Sequence, residues 1–221
     1  MNKGKEYIKD EIRKEFQLER MVLFSDAVFA IVITLMAIEI RMPDLPKPFT
    51  SEMISTALIK LIPVAIAYAV SFIFIGQTWY HHLQAFSLLK DFDKGLVVRN
   101  LIMLFFIGFF PFSATLITKF NNGLFLPITI YFLVILSGKT AQLVLNHYIL
   151  VKHPQLRINS DIHDEMLRFK RSRLAVVLLS ITFLLISITN YTIKDPELKD
   201  ICWFWFFPFA FVLRYMKRRI K

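Results

Sequence analysis

Six stretches of the 221-residue chain are almost entirely apolar. They run approximately over Met21–Ile40, Ala57–Trp79, Asn100–Thr118, Leu124–His147, Leu174–Tyr191 and Ile201–Tyr215. A helix needs about 20 apolar residues to cross a bilayer, because each residue adds about 1.5 Å to a path about 30 Å long. The pattern therefore predicts six transmembrane helices, of which the last is the shortest.

Apolar residues in these stretches do not alternate with polar ones at a period of two, which a transmembrane β-barrel requires. We therefore predict an all-α, polytopic membrane protein. The connections Lys119–Gly123 and Thr192–Asp200 are short enough for tight helical hairpins, and the one sizeable polar linker is Tyr148–Arg173. Since little else lies outside the helices, residues 1–221 are expected to form a single transmembrane domain.

Composition supports this prediction, because 56% of the residues are hydrophobic and soluble domains have about 45–50%. The single cysteine, Cys202, provides neither an intrachain disulfide nor a cysteine-held metal site. The sequence has no GxSxG, HExxH or glycine-rich phosphate motif. We therefore expect a protein that is not an enzyme and that holds no cofactor or metal.

The net charge of +10 is divided unequally between the two sides of such a bundle. One side carries 20 Lys and Arg, in residues 1–20, 80–99, 148–173 and 214–221, and the other carries 5. Positive residues are retained in the cytoplasm during insertion. We predict a multi-pass protein of the plasma membrane with both termini, segment 1–20 and connection 148–173 in the cytoplasm. Its basic clusters, Arg168–Arg173 and Arg214–Lys221, are expected to contact anionic membrane lipid, not nucleic acid.

Polar residues in the first predicted helix are costly in a membrane, where a charge costs about 2.5–3.5 kcal/mol. Asp26 lies about one turn inside this helix, beside Ser25, whereas Glu39 lies at the far end and is expected to reach water. Candidate donors at a similar depth in the next two helices are Trp79, His81, His82 and Asn100. Imidazole, indole and amide groups all donate hydrogen bonds, so we predict that these side chains satisfy Ser25 and Asp26. Adjacent histidines point to different helix faces, which argues against a metal site.

Another face of the first helix carries a narrow aliphatic stripe with one hydroxyl. The stripe consists of Ile31, Thr34, Leu35 and Ile38. At about 100° per residue, these side chains point within about 60° of one direction, and the Ser25–Asp26 pair points about 120–140° away from Ile31. By composition alone, such a stripe is typical of ordinary packing against lipid or other helices.

Three short sequence patterns in the first half of the chain indicate more than ordinary helix packing. They are Arg20-x-x-x-Phe24-Ser25-Asp26, Gly76-x-x-Trp79-x-x-His82, and Asn100-Leu-x-x-Leu-Phe followed by Phe110-Pro-Phe. This half resembles the bacterial relatives of the endosomal and lysosomal potassium channel called transmembrane protein 175. The remaining helices match that family only in number, spacing and hydrophobicity.

The resemblance implies a modestly potassium-selective cation channel, a homotetramer in which four copies of the first helix line a central pore for K⁺. Ile31 matches the isoleucine of a narrow hydrophobic constriction. Thr34, Leu35 and Ile38 match further pore-lining positions. The signature residues Arg20, Phe24, Ser25 and Asp26 are then expected to hold helix one against helices two and three. The direction of Arg20 stays open, because it lies near the direction of the stripe.

Two other classes of protein remain open from the sequence. One is a proton-coupled secondary transporter that uses Asp26 as its titrating group, although no inverted repeat or pair of interrupted helices is visible. The other is a membrane scaffold that conducts nothing. Measurements of ion flux separate these classes from a channel.

Overall fold

The computed structural model describes residues 2–38, 40–42, 45–119, 125–158, 161–193 and 205–219. These residues form seven α-helices: α1 (Asn2–Ile38), α2 (Ser51–Phe86), α3 (Lys94–Gly108), α4 (Phe110–Lys119), α5 (Phe125–His147), α6 (His163–Thr192) and α7 (Phe206–Arg219). A π-helical turn, Tyr148–Lys152, continues α5, and a 3-10 turn, Pro154–Leu156, follows it. The predicted all-α class is confirmed.

Five helical segments in the described part of the chain are long and apolar enough to cross a membrane. They are Glu11–Ile38, Ser51–Phe86, Lys94–Ile117, Phe125–Lys152 and His163–Thr192. The sixth prediction, Ile201–Tyr215, is represented by the shorter α7, and residues 201–204 lie outside the described part. The chain is thus a multi-pass helical membrane protein.

Helix α1 is longer than the apolar stretch that predicted it. It is a continuous helix of 37 residues that joins the charged N-terminal segment to the first span. At about 1.5 Å per residue it exceeds the thickness of the hydrocarbon, so its N-terminal half extends beyond the apolar region. Lys14 in that half donates to Asp91 Oδ2, in the α2–α3 loop, at 2.7 Å. The hydrogen bond from Lys14 is the main reason why the pKa of Asp91 lies below its usual value.

The third predicted span is interrupted where α3 ends and α4 begins. Pro111 lacks an N–H group, and its ring crowds the carbonyl one turn earlier, which favours a break or kink in the helix there. The backbone N–H of Phe109 bonds to the carbonyl of Phe106 at 3.2 Å, which is the tighter spacing of a 3-10 turn. Regular spacing resumes when Ser113 N–H bonds to Phe109 O at 3.0 Å.

The connection predicted at Tyr148–Arg173 is largely structured. The Tyr148 hydroxyl donates to Asp93 Oδ2 at 2.7 Å, and the Arg99 guanidinium lies 3.9 Å from the centre of the tyrosine ring. A Cβ atom at Gly95 would overlap the Tyr148 hydroxyl, so a glycine allows this close approach. Burial raises the pKa of Asp93, but hydrogen bonds from Tyr148 and from the Leu96 amide outweigh it, and the net pKa is lowered.

The rest of this connection pairs with the α2–α3 loop. Lys90 N–H bonds to Leu156 O at 2.9 Å, and Ile158 N–H bonds to Leu88 O at 2.8 Å. Together with the Lys14–Asp91 ion pair, these contacts bring the start of α1, the α2–α3 loop and the segment after α5 to one end of the bundle. Three of the four basic regions counted in the sequence therefore lie at the same end.

Candidate functional site

Helix α1 has one buried face and one exposed face in the subunit. Phe29, Val32 and Met36 are 1%, 4% and 2% exposed and belong to the core. The predicted stripe lies on the other side: Ile31, Leu35 and Ile38 are 56%, 45% and 51% exposed, and Thr34 is exposed as well. The structure thus leaves all four stripe residues free of contacts that would bury them within one subunit.

Thr34 is the polar member of the stripe, and its own helix satisfies its hydroxyl proton. The hydroxyl lies 2.9 Å from Ile31 O and 3.1 Å from Ala30 O, both of which accept from it. Because the proton points back to the backbone, the oxygen keeps lone pairs for a donor or a cation outside the helix.

A buried chain of hydrogen bonds attaches the opposite face of α1 to α3, and α3 to α2. The Ser25 hydroxyl donates to Met21 O at 2.8 Å and accepts from Asn100 Nδ2 at 2.9 Å, which links α1 to α3. Asn100 Oδ1 lies 2.9 Å from His82 Nε2, which links α3 to α2. The Asn100 amide nitrogen donates to Ser25, so the amide oxygen faces His82, and an amide oxygen can only accept. His82 therefore carries its proton on Nε2. Ser25, Asn100 and His82 are each at most 1% exposed.

Aromatic rings enclose the imidazole of this chain. The His82 ring stacks on Phe86 with 4.0 Å between ring centres, and Phe29 of α1 lies 5.7 Å away. No described residue hydrogen-bonds to His82 Nδ1. The histidine therefore acts in this structure as a buried donor to Asn100.

Asp26 has a separate partner at the edge of the same face. The indole N–H of Trp79 donates to Asp26 Oδ1 at 2.8 Å. This contact is less buried than the Ser25 chain, since Trp79 is 38% exposed. His81 lies instead near Gln84, with its Nδ1 3.4 Å from the amide oxygen. Among the four candidate donors, Trp79 thus bonds to Asp26, Asn100 bonds to Ser25, and neither histidine bonds to the carboxylate.

The other two signature residues, Arg20 and Phe24, are exposed in the subunit. Phe24 is 54% exposed, and Arg20 is exposed, with its guanidinium carbon 6.0 Å from the Phe16 ring centre. Both positions point in nearly the direction of Ile31, because they precede it by seven and eleven residues, which are about two and three helical turns. Within one subunit they do not hold α1 against α2 and α3, as Ser25 and Asp26 do. Glu39 lies outside the described residues.

A second polar cluster was not predicted as a site, although Lys139 inside an apolar stretch was a signal for it. Lys139 Nζ lies 3.2 Å from Thr78 Oγ1, 3.5 Å from Gln142 Oε1 and 4.6 Å from the centre of the Phe74 ring. Gln142 donates to Thr78 O at 2.9 Å. The cluster joins α2 to α5. Within the described ranges, no group of three or more His, Cys, Asp or Glu could hold a metal.

These features define a class: a helical membrane protein whose first helix is anchored by polar groups on one face and exposes an aliphatic stripe on another. Residues 20–111 match the model of the family described as endosomal/lysosomal potassium channel TMEM175. The match covers the signature on α1 and its partners on α2 and α3. The chain belongs to the TMEM175 family, as its first three helices predicted.

Several relatives are described as channels. A potassium channel of Chamaesiphon minutus is 31% identical over 134 residues, which are 55% of this chain and 66% of the relative. A potassium channel of Streptomyces collinus is 35% identical over 101 residues, which are 46% of this chain and 48% of the relative. The endosomal/lysosomal proton channel TMEM175 of Danio rerio is 28% identical over 209 residues, which are 88% of this chain and 39% of the relative. The alignments thus span between about two fifths and two thirds of these relatives' lengths.

Solved structures share the fold. The crystal structure of a lysosomal potassium-selective channel TMEM175 homolog from Chamaesiphon minutus superposes with a TM-score of 0.65 at 24% identity, over 89% of this chain and 98% of the other. A crystal structure of a variant of the potassium channel MtTMEM175 gives a TM-score of 0.62 at 21% identity, over 90% of this chain and 91% of the other. The common helical arrangement therefore extends well past the residues that the family model matches.

The polar anchor generates a prediction about stability. Asp26→Ala removes the acceptor of the Trp79 indole. Asn100→Ala removes both the donor to the Ser25 oxygen and the acceptor of the buried His82 Nε2–H. An unpaired buried group costs about 1–3 kcal/mol, so Asn100→Ala should lower the melting temperature more than Asp26→Ala. Thermal unfolding of the purified protein in detergent, followed by tryptophan fluorescence, measures both changes.

Asp26→Asn is the matched control, because its amide oxygen still accepts from the indole. It should melt closer to the parent than Asp26→Ala does. An Asp26→Ala protein that melts like the parent would show that the Trp79 contact contributes nothing measurable.

Proposed function

We propose that the protein is a potassium-selective cation channel, in which α1 lines a central pore and Ile31 forms its narrowest, hydrophobic part. One observation carries the proposal: α1 is anchored by Ser25 and Asp26 on one face and leaves a mainly aliphatic stripe exposed on another. Two relatives, from Chamaesiphon minutus and Streptomyces collinus, are described as potassium channels.

A single α1 cannot enclose a pore, because its exposed stripe forms a convex surface about one helix wide. Several copies must surround an axis, and closed rotational symmetry is the usual arrangement for identical subunits. We propose four copies, the number implied by the family resemblance. Ile31, Leu35 and Ile38 of each subunit then form successive apolar rings.

Permeation in such a pore depends on dehydration. Four Ile31 side chains provide no oxygen to replace the water around a cation, so the ion passes largely hydrated or loses part of its shell. Potassium holds its water less tightly than sodium, so a narrow apolar ring favours potassium to a modest degree. The same ring closes to ions by dewetting when it narrows slightly. Thr34 lies almost one turn further along, and the lone pairs of its oxygen are available to the ion there.

The proposed orientation places both termini in the cytoplasm of a cell with the protein in its plasma membrane. The contacts at one end of the bundle support it. Lys14 pairs with Asp91, and Leu89 forms a β-bridge with Arg157, so three basic regions from distant parts of the chain share one side. Positive residues on one side are retained in the cytoplasm.

Proton conduction is a second candidate. The relatives from Danio rerio and Gallus gallus are described as proton channels. Asp26 is a titratable group on α1, the helix that we propose lines the pore. A carrier that used Asp26 would move protons together with a second ion. The two candidates differ in which gradient sets the reversal potential, and the next experiment measures that quantity.

Ile31→Asn tests the proposed pore. The parent should carry current in planar bilayers with a reversal potential nearer to that of K⁺ than of Na⁺. Asparagine is smaller than isoleucine and polar, so it should widen and hydrate the constriction, raise conductance and reduce the preference for K⁺ over Na⁺. Ile31→Met keeps an apolar side chain and should stay nearer to the parent.

Ala30→Asn is the matched control, because it places the same polar group at an exposed position about 100° around α1. It should change conductance and selectivity much less. Unchanged currents in an Ile31→Asn protein of normal abundance and assembly would refute Ile31 as the constriction. A parent current whose reversal potential follows the pH gradient alone would favour the proton channel.

Oligomeric state gives an independent prediction. Native mass spectrometry of the detergent-solubilised protein should be dominated by a species of four subunits, each of 26.0 kDa. Four α1 helices surround the proposed pore, the number implied by the family resemblance. A population made mainly of dimers would contradict this architecture and would suit a carrier with a path inside each subunit.

Orientation is tested with tags fused to the two chain ends. Both tags should resist protease added outside intact cells and become susceptible after lysis, because the basic regions retain both ends in the cytoplasm. Cleavage of either tag from outside would contradict the proposed topology and the even number of membrane crossings.

A further inference from the structure

A cavity of about 640 Å³ lies between α2, α5 and α6. Lys139 of α5 and Arg168 and Arg171 of α6 line it, together with Glu165 as the carboxylate among its described lining residues. None of the described residues of α1 contributes to its wall. The cavity therefore has an excess of positive charge and is separate from the proposed pore.

The charged groups lie at two depths. Arg168 and Arg171 precede Leu174, where the apolar part of α6 begins, so they lie near the membrane boundary on the side of the 148–158 segment. Lys139 lies eight residues before His147, the end of α5, which places it about 12 Å deeper. The cavity thus extends from the level of lipid headgroups toward the hydrocarbon.

The basic cluster 168–173 has two faces. Arg168 and Arg171 are three residues apart, and both line the cavity, whereas Lys170 and Arg173 are exposed and do not belong to its lining. Residues three apart share a helix face, which accounts for the division. Arg168 NH1 also lies 3.0 Å from Glu165 Oε1, so this carboxylate offsets part of the positive charge.

Apolar side chains form much of the remaining wall. Ile135 of α5 lies one turn before Lys139, and Val176 and Leu179 of α6 lie on the hydrocarbon side of Arg171. A soluble anion gains nothing from such a wall. An acyl chain does gain, because it can lie against these residues while its headgroup stays at the arginines.

We propose that this cavity binds the phosphate headgroup of an anionic phospholipid from the leaflet that adjoins the 148–158 segment. The planar guanidinium groups of Arg168 and Arg171 match phosphate oxygens in pairs, and Lys139 adds a positive charge below them. Basic pockets between transmembrane helices on the cytoplasmic side are suited to such headgroups. The site does not depend on the pore, so it stands even if the protein conducts no ions.

The test compares two double variants that each remove two positive charges from the same turns of α6. The purified full chain is titrated with phosphatidylglycerol or phosphatidylcholine, and retained lipid is counted by native mass spectrometry. The parent should retain phosphatidylglycerol in preference. Arg168→Gln/Arg171→Gln should weaken that binding by about tenfold or more, since both of the removed charges attract the headgroup phosphate. Lys170→Gln/Arg173→Gln should bind like the parent.

Inorganic phosphate and glycerol phosphate are titrated in parallel, with the melting temperature as the readout. Phosphatidylglycerol should raise the melting temperature of the parent, and the soluble phosphates should not. Equal weakening in the two double variants would overturn the site, because lipid would then bind the basic surface in general. Stabilisation by soluble phosphate equal to that by the lipid would overturn the assignment to a phospholipid. If Arg168→Gln/Arg171→Gln does not fold, Lys139→Gln serves instead, and unchanged lipid retention in that variant would refute the site.

Discussion

The hydrogen-bond chain from Ser25 through Asn100 to His82 determines how α1 sits in the bundle. Its members are almost fully buried, and the surrounding hydrocarbon supplies no water to replace a lost partner. Rotation of α1 by a fraction of a turn would separate the Ser25 oxygen from the Asn100 amide nitrogen and leave that buried donor unpaired. The rotational position of α1, and with it the direction of the aliphatic stripe, therefore follows from this chain.

The polar anchors described for α1 precede the proposed constriction along the helix. Lys14 pairs with Asp91 outside the apolar region, and Ser25 and Asp26 bind α3 and α2 about 16 Å further along. Beyond them, the residues that face the core are apolar, and Ile31 follows Ser25 by less than two turns. The proposed constriction thus lies just past the point where polar contacts hold the helix, in a part whose attachment depends on apolar packing.

The last turns of α2 lie between the polar contacts that anchor α1 and the cavity between α2, α5 and α6. Trp79 and His82 turn toward α1 and α3, where they meet Asp26 and Asn100. His81 and Gln84, on other faces of the same turns, line the cavity between α2, α5 and α6. The two adjacent histidines thus have different surroundings, as expected for neighbours about 100° apart on a helix. A displacement of α2 on lipid binding would therefore also change the contacts of Trp79 with Asp26 and of His82 with Asn100.

The sequence by itself determined the apolar spans, the charge asymmetry, the stripe on α1 and the group of side chains that meet Ser25 and Asp26, because each depends on local composition or on helical periodicity. Only the tertiary structure decided that Asn100 bonds to Ser25 and Trp79 to Asp26, since those pairings depend on the relative rotation of three helices. It also decided that Phe24 faces outward and that the basic cluster 168–173 divides between a cavity and the exposed surface. Periodicity assigns a side chain to a face of its own helix, but the neighbour that covers that face comes from a distant part of the chain.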